Sequence, residues 1–220
     1  MSSIERVVMS KLIRTMEIFS FIFEAKEKRY NSINEEIEDL LKLEFKDIKR
    51  RYLYNHINKG ENKDIYMTFT PGKYLLKLSR DSDEIKKEIE IYNCYASPLL
   101  TKIYGYDNKN YNWVIVEEVQ TIQSGKQFEE ILLNTLVRTP LLYDLKEKIE
   151  EENSSLEREF VRWLRNPNKE DVVGNAWMNE LLELISRCGL DPNDLYQQNW
   201  GIRNNSELVI IDYGFEGFDQ

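Results

Sequence analysis

The stretch that decides the fold is Asp194-Leu-Tyr-Gln-Gln-Asn199-Trp-Gly-Ile-Arg-Asn-Asn-Ser-Glu-Leu-Val-Ile-Ile-Asp212-Tyr-Gly214. Its pattern predicts a hairpin in which two apolar strands, residues 200–203 and 208–211, are joined at an Asn-Asn-Ser turn. Such a hairpin would bring the Asn199 amide beside the Asp212 carboxylate. Oxygen ligands of this kind suit a hard cation such as Mg²⁺, which keeps several waters and usually arrives with phosphates. The stretch therefore predicts a site for metal and phosphate.

Composition limits the possible partners of this site. The chain has 220 residues, of which 41% are hydrophobic and 12% aromatic, as expected of a folded globular protein. Its 39 acidic residues exceed its 30 basic ones, and the net charge of −9 disfavours nucleic acid or an anionic membrane as a partner. No stretch approaches the ~20 apolar residues that span a bilayer. The N-terminus carries no clean secretion signal. We therefore expect a soluble, cytoplasmic protein.

Cysteine and histidine usage argues against two further kinds of site. Cys94 and Cys188 are the only cysteines, and they lack CxxC spacing. This predicts neither a disulfide scaffold nor a zinc site, and a reducing cytoplasm is the default. The single histidine, His56, leaves no histidine-rich metal cage.

The first 50 residues read as two helices. Residues 3–28 form an amphipathic pattern, and a second helix begins at Ile33, where Ser32 and Glu35 have the spacing of a capping box. Its apolar positions continue to Ile48. These helices are either a separate interaction module or packing for the domain behind them, and packing is the commoner outcome.

Extended patterns follow. Residues 66–69 and 74–78 read as strands joined at Pro71 and Gly72, which suit the two central positions of a type II turn. Lys77 lies inside the second strand. It is either an edge-strand charge facing water or a charge directed at a ligand.

A helix and two more strands complete this part. The helix spans about residues 83–95 and carries Glu88 next to its apolar side, with Glu84 as the alternative acid. Residues 101–106 and 112–119 read as strands, the second apolar enough to be central. Together these elements predict a small α+β lobe with a mostly antiparallel sheet.

The remainder reads as helical until the opening stretch. Thr139-Pro140 marks a helix start, since proline is favoured at the first helical position. The chain then continues as one long helix or breaks near residues 153–155. A last helix begins after the cap Asn175 and ends at Gly189.

In this order, the elements and their polar residues resemble the protein-kinase-like superfamily, which includes eukaryotic-type protein kinases and aminoglycoside-type small-molecule kinases. The resemblance covers roughly residues 54–215. It implies a two-lobed α+β fold, with an N-terminal helical extension at 1–50, a small N-lobe at 51–122 and a reduced helical C-lobe at 123–220.

The resemblance also implies roles for five residues. Lys77 would hold the α- and β-phosphates of ATP, and Glu88 would fix that lysine. Asp194 would orient the acceptor hydroxyl. Asn199 and Asp212 would be the Mg²⁺ ligands.

Nucleotide binding would involve further positions. Residues 116–118 would lie where backbone groups bond the adenine edge, so Glu117 and Val119 join the cofactor-binding set. The glycine-rich loop keeps only Gly60 of its three glycines, and side chains there obstruct the close backbone approach to phosphate that glycine permits. Lys63, within the aligned residues 57–66, is a candidate to contact phosphate itself.

Two departures bear on the substrate. Pro192 stands where the family usually has histidine, two positions before Asp194. Only eight residues follow Asp212, so we expect neither an activation segment nor the later helices that bind peptide substrates. Small minimal kinase-like proteins similar to this one are carried by bacteriophages, which would imply action on host components.

The sequence is consistent with three functions. The first is an ATP- and Mg²⁺-dependent phosphotransferase that modifies a protein Ser/Thr rather than a small molecule. The second is a pseudokinase, a protein-binding module that acts through its N-terminal helices. The third is a small α+β protein in which Asp-Tyr-Gly is coincidental. Retention of five polar residues favours the enzyme because buried charges cost stability, whereas the poor glycine loop favours the module.

Overall fold

The computed structural model describes residues 30–59 and 63–213. The chain divides into two compact units. The first holds the described residues up to Arg80 together with Tyr104–Val116, and the second holds Asp81–Ile103 and the chain from Glu117 onward. The predicted α+β class with a small antiparallel sheet is confirmed. The predicted helix at 3–28 and the predicted site residue Gly60 lie outside the described residues.

A five-stranded sheet with the order β1-β2-β3-β5-β4 forms most of the first unit. Its strands are β1 (His56–Lys59), β2 (Lys63–Met67), β3 (Tyr74–Ser79), β4 (Ile103–Tyr106) and β5 (Trp113–Glu117). Strands β1, β2 and β3 pair antiparallel, with Ile65 opposite Lys77. The second strand begins earlier than predicted and leaves a longer connection to β3, in which Gly72 has the positive φ expected of it (144°).

Two short helices, α1 (Ile33–Leu40) and α2 (Phe45–Arg51), share this unit with the sheet. The predicted cap is confirmed, because the Glu35 backbone N–H donates to Ser32 Oγ at 3.4 Å. The prediction of one helix running through Ile48 is wrong, since Glu44 is extended and the chain restarts there. On one straight helix Leu40 and Ile48 would diverge by about 80°. The break lets both side chains reach the core.

The core of the first unit lies between these helices and the sheet. It consists of Leu40, Ile48, Tyr52, Tyr66, Leu76, Leu78, Trp113 and Ile115. Packing is therefore the role of α1 and α2. Helix α1 packs closely against β4, because a Cβ added to Gly105 of β4 would lie 2.6 Å from Ile37 Cδ1.

A buried acid on α1 ties three segments of this unit together. Glu36 is fully buried, and its carboxylate accepts from Phe69 N (2.8 Å), Thr70 N (2.8 Å), Thr70 Oγ1 (2.5 Å) and the Tyr52 hydroxyl. Burial, reinforced by the Glu36 charge, raises the pKa of Tyr52 far above its usual range. The bonds fix the β2–β3 connection to both helices.

The second unit is mainly helical, and each of the five helices in its described residues starts at a side-chain cap. The helices are α3 (Ser82–Cys94), α4 (Gly125–Thr135), α5 (Pro140–Glu152), α6 (Leu156–Leu164) and α7 (Ala176–Cys188). The chain breaks between α5 and α6, where Asn153 is left-handed (φ 50°) and Ser155 caps α6. The caps Thr139 and Asn175 and the left-handed stop at Gly189 (φ 71°) are confirmed.

A three-stranded sheet completes the second unit, with β6 (Gln120–Thr121), β7 (Trp200–Arg203) and β8 (Glu207–Ile210) in that order. Strand β6 was not predicted, because two exposed residues carry no periodic signal. Leu99, Phe128, Phe160, Leu181, Trp200 and Ile210 are among the core residues beneath this sheet and the helices.

The structure contains a disulfide that the sequence analysis did not expect. Cys94 at the end of α3 and Cys188 at the end of α7 form a disulfide, with their Cα atoms 5.7 Å apart. They are separated by 94 positions in sequence, so spacing rules give no sign of the pair. The inference of a reducing compartment loses its basis. Within residues 30–59 and 63–213, no helix is long and apolar enough to cross a membrane.

Candidate functional site

The β7–β8 hairpin forms where the sequence predicts it. Its register pairs Trp200 with Ile210 and Arg203 with Glu207. Asn204 and Asn205 both have positive φ, 52° and 68°, which asparagine tolerates better than most residues. The tight turn sets the ends of the hairpin side by side.

Asn199 is held at the open end of this hairpin by both its backbone and its side chain. Ile211 N donates to Asn199 O at 2.8 Å, which places Asn199 against the residue preceding Asp212. Asn199 Nδ2 donates to Asp194 O at 2.7 Å. Because the amide nitrogen is engaged with this carbonyl, Asn199 Oδ1 is the amide atom left to act as a metal ligand. The backbone of Asp194 and the residue preceding Asp212 thus both contact Asn199 at the open end of the hairpin.

The loop carrying Asp194 is held by side chains from outside it. Asp194 is buried, at 4% exposure, in a short 3₁₀ turn. Trp200 Nε1 donates to Leu195 O at 2.9 Å, and Gln197 N donates to Glu157 Oε1 at 2.5 Å. Sequence reasoning missed Glu157, because an acid in the first turn of a helix reads as a favourable dipole contact and nothing more.

The chain on either side of Asp212 is bonded to Leu99–Thr101. Leu100 pairs in parallel with Ile210, through Ile210 N to Leu99 O (2.6 Å) and Thr101 N to Ile210 O (3.1 Å). The Tyr213 hydroxyl donates to Thr101 O at 3.4 Å. The end of β8 is therefore fixed directly before Asp212.

Glu88 lies close to this segment. It is fully buried on α3, and Glu84 is also buried, at 7% exposure, so the solvated-face interpretation of these acids does not hold. Burial raises the pKa of Tyr213 well above its usual range, and the neighbouring charges of Glu88 and Asp212 raise it further. Glu88 is therefore the candidate acid that lies near Tyr213.

Glu117 forms hydrogen bonds through both its backbone and its side chain, which the sequence did not suggest. Its backbone N–H donates to Lys102 O at 2.8 Å, and its carboxylate accepts from Arg203 Nε (3.0 Å) and Nη2 (2.7 Å). The bond from Arg203 lowers the pKa of Glu117. Val119 packs against the hairpin, since a Cβ on Gly201 would lie 2.5 Å from Val119 Cγ2. Sequence reasoning missed Arg203, which reads there as an ordinary strand-end charge.

The predicted lysines belong to the first unit. Lys77 lies opposite Ile65 in β3 and is 5% exposed, and Lys63 lies opposite Ser79 in β2 and is 8% exposed. Strand β3 is flanked by β2 and β5, so Lys77 is not an edge-strand charge facing water. Glu88 belongs to the second unit, and its pairing with Lys77 stays a prediction.

The oxygen groups at the hairpin end suit Mg²⁺. Among the residues that the structure describes, no group of three or more His, Cys, Asp or Glu side chains is placed to hold a metal ion. Asn199 and Asp212 offer a smaller set, one amide oxygen and one carboxylate. Mg²⁺ is commonly bound through one or two carboxylates with waters and substrate phosphates completing its shell.

No protein-family model and no curated protein matches the chain. Among solved structures, the chain is similar to the crystal structure of aminoglycoside phosphotransferase APH(4)-Ia, with 14% sequence identity and a TM-score of 0.35. The match covers 72% of this chain and 65% of that one, so the chain spans less than two thirds of that protein's length. Similarity at this level carries no argument about function.

Proposed function

We propose that this protein is an ATP- and Mg²⁺-dependent phosphotransferase of protein-kinase-like fold. The observation that carries the proposal is the hairpin end, where Asn199 contacts Ile211 through its backbone and Asp194 through its amide nitrogen. In the proposal, the Asp194 carboxylate, the Asn199 amide oxygen and the Asp212 carboxylate act together at this end of the hairpin. Phosphoryl transfer needs such positioned polar groups more than it needs covalent chemistry from the protein.

Each of these groups has a role in the proposal. Asn199 Oδ1 and the Asp212 carboxylate hold Mg²⁺, and ATP supplies the transferable phosphoryl group. The Asp194 carboxylate orients the acceptor hydroxyl and accepts its proton. Glu88 is buried on α3 and lies near Tyr213.

The first unit contributes cations. Lys77 and Lys63 lie in neighbouring strands, and both are largely buried. We propose that Lys77 holds phosphate, with Lys63 as a second contact. We propose that Glu117 and Val119 belong to the segment that contacts the adenine edge. We propose a protein Ser/Thr hydroxyl as acceptor, in a host protein.

A second candidate is a pseudokinase that binds partners without transferring phosphate. The observation in its favour is the loop within residues 57–66, which retains one glycine where the family has three. Side chains in that loop limit how closely backbone N–H groups approach phosphate.

The experiment compares wild-type protein with Asp194→Ala and Asp212→Ala variants, incubated with γ-labelled ATP and Mg²⁺, alone and with a host lysate. The matched control is Asp144→Ala, which removes an exposed acid from α5 of the same unit. The phosphotransferase predicts label transfer by wild type and control that is lost in both site variants. Mg²⁺-ATP that raises the melting temperature without any transfer would favour the pseudokinase. No transfer and no thermal shift would reject both.

A further inference from the structure

We propose that Arg203 is a positioning residue that couples the Glu117 segment to the hairpin carrying Asn199 and Asp212. The inference rests on the proposed function and extends it. Nothing in the sequence pattern marks Arg203, and the phosphotransferase roles above do not use it.

The guanidinium of Arg203 joins three segments of the second unit. Its Nε and Nη2 bind both oxygens of Glu117, at 3.0 and 2.7 Å. Its Nη1 donates to Pro98 O at 2.6 Å, and Nη2 also donates to Leu100 O at 3.1 Å. One side chain on β7 therefore fixes the end of β5 and the chain at 98–100.

These are the same segments that determine the position of the metal ligands. The chain at 98–100 pairs with β8 through Ile210, two residues before Asp212. The segment after Glu117 pairs with β7, with Gln120 opposite Ile202. A shift of the hairpin along either neighbour would move Asn199 and Asp212 relative to residues 117–119. The fork of bonds from Arg203 opposes such a shift.

The geometry requires arginine. A planar guanidinium binds a carboxylate through two parallel N–H groups while its remaining donors reach carbonyls, whereas a lysine ammonium is a point charge without that fork. The pair is also partly shielded, with side-chain exposures of 19% for Arg203 and 21% for Glu117. Shielding strengthens the interaction relative to an exposed ion pair.

The test measures how tightly the full-length protein binds a non-hydrolysable ATP analogue with Mg²⁺, by titration calorimetry, beside its melting temperature. The variants are Arg203→Lys, Glu117→Gln and the double variant. The control is Glu152→Gln, which breaks an ion pair of the same 2.7 Å length with Arg162, at an exposed position. We expect Arg203→Lys to raise the Kd for Mg²⁺-nucleotide about tenfold, within the range of indirect coupling effects.

Two further outcomes separate positioning from simple stabilisation. Positioning predicts that the double variant binds no more weakly than the worse single variant, because both remove one coupled unit. It also predicts that Glu152→Gln keeps the wild-type Kd. Variants that melt earlier yet bind Mg²⁺-nucleotide as wild type does would overturn the inference while leaving the proposed function standing. If Arg203→Lys does not fold, the near-isosteric Glu117→Gln decides alone. A wild-type protein that binds no Mg²⁺-nucleotide overturns both proposals.

Discussion

Each compact unit stabilises one of its strand connections by different interactions, at β2–β3 in the first unit and at β7–β8 in the second. In the first, the carboxylate of Glu36 accepts four hydrogen bonds from Tyr52, Phe69 and Thr70. In the second, the β7–β8 hairpin is anchored by backbone pairing, the amide nitrogen of Asn199 and the guanidinium of Arg203. A disulfide adds a covalent tie in the second unit alone, which contains both cysteines of the chain.

This difference separates a structural acid from candidate functional ones. A carboxylate offers about four acceptor positions, and Glu36 fills all of them with donors from its own unit. It has no capacity left for a ligand. At the second hairpin the anchoring bonds use nitrogen donors and backbone groups, so the acceptor oxygen of Asn199 is not required to hold the fold. Burial alone therefore does not identify a functional acid.

We expect the largest loss of stability when Glu36 is replaced. Glu36→Ala leaves four buried donors without their acceptor, and we expect it to lower the free energy of unfolding by about 3–5 kcal/mol. Glu36→Gln keeps one acceptor oxygen and should cost less. Denaturant unfolding measures both. A loss below about 1 kcal/mol for the alanine variant would contradict the assigned role of Glu36.

We expect the second largest loss of stability when the Cys94–Cys188 disulfide is removed. Cys94→Ser opens a loop closed over 94 positions, and we expect a loss of about 2–4 kcal/mol. Melting curves with and without a thiol reductant measure it, and the reductant should lower the melting temperature of wild type but not of the Cys94→Ser/Cys188→Ser variant. Equal melting of wild type in both buffers would show that the bond contributes nothing.

Close packing behind the second hairpin gives a smaller effect. A Cβ at Gly201 would lie 2.5 Å from Val119 Cγ2 and 2.7 Å from Ile211 Cγ2, so we expect Gly201→Ala to cost about 1–3 kcal/mol. Gly125→Ala is the control, because its Cβ meets only the end of the Gln197 side chain, at 3.3 Å. Denaturant unfolding of both variants makes the comparison. Similar stabilities for the two variants would mean that the hairpin has more room than the structure shows.

The smallest effect concerns pH. Arg203 lowers the pKa of Glu117 in the folded state, so the carboxylate contributes stability above its unfolded value of 4.5. That contribution is lost as pH falls from 4.5 through the lower, folded value. We expect Glu117→Gln to flatten this part of the stability curve, and thermal melts at pH 3–6 test it, the range being roughly that of carboxylate titration. Parallel curves for wild type and variant would count against the Arg203–Glu117 bond.

Local sequence signals predicted helix ends and turns. They did not predict hydrogen-bond partners that are distant in sequence. A few neighbouring residues are enough to specify the hairpin turn, the helix caps at Ser32 and Thr139, and the helix end at Gly189. Glu36 and Thr70 are 34 positions apart, and Arg203 and Glu117 are 86 apart. No periodicity connects such positions, so these contacts appear only in the folded chain.

The candidate site shows the same limit. The sequence predicts Asp194, Asn199 and Asp212 as a group because a single hairpin and the loop before it contain all three, and the hairpin is confirmed. Glu157 was not predicted, because the bond to Gln197 joins residues 40 positions apart. The helix break before Phe45 also escaped prediction, since the apolar pattern continues across it while Glu44 turns extended.

The central claim is that the end of the β7–β8 hairpin holds Mg²⁺ with a nucleotide. Titration of ATP into wild-type and Asp212→Asn proteins, with Mg²⁺ or with EDTA, tests it most directly. The account predicts binding by wild type that requires Mg²⁺ and is at least about tenfold weaker in Asp212→Asn, at an unchanged melting temperature. Binding that is equal in the two proteins, or indifferent to Mg²⁺, would contradict it.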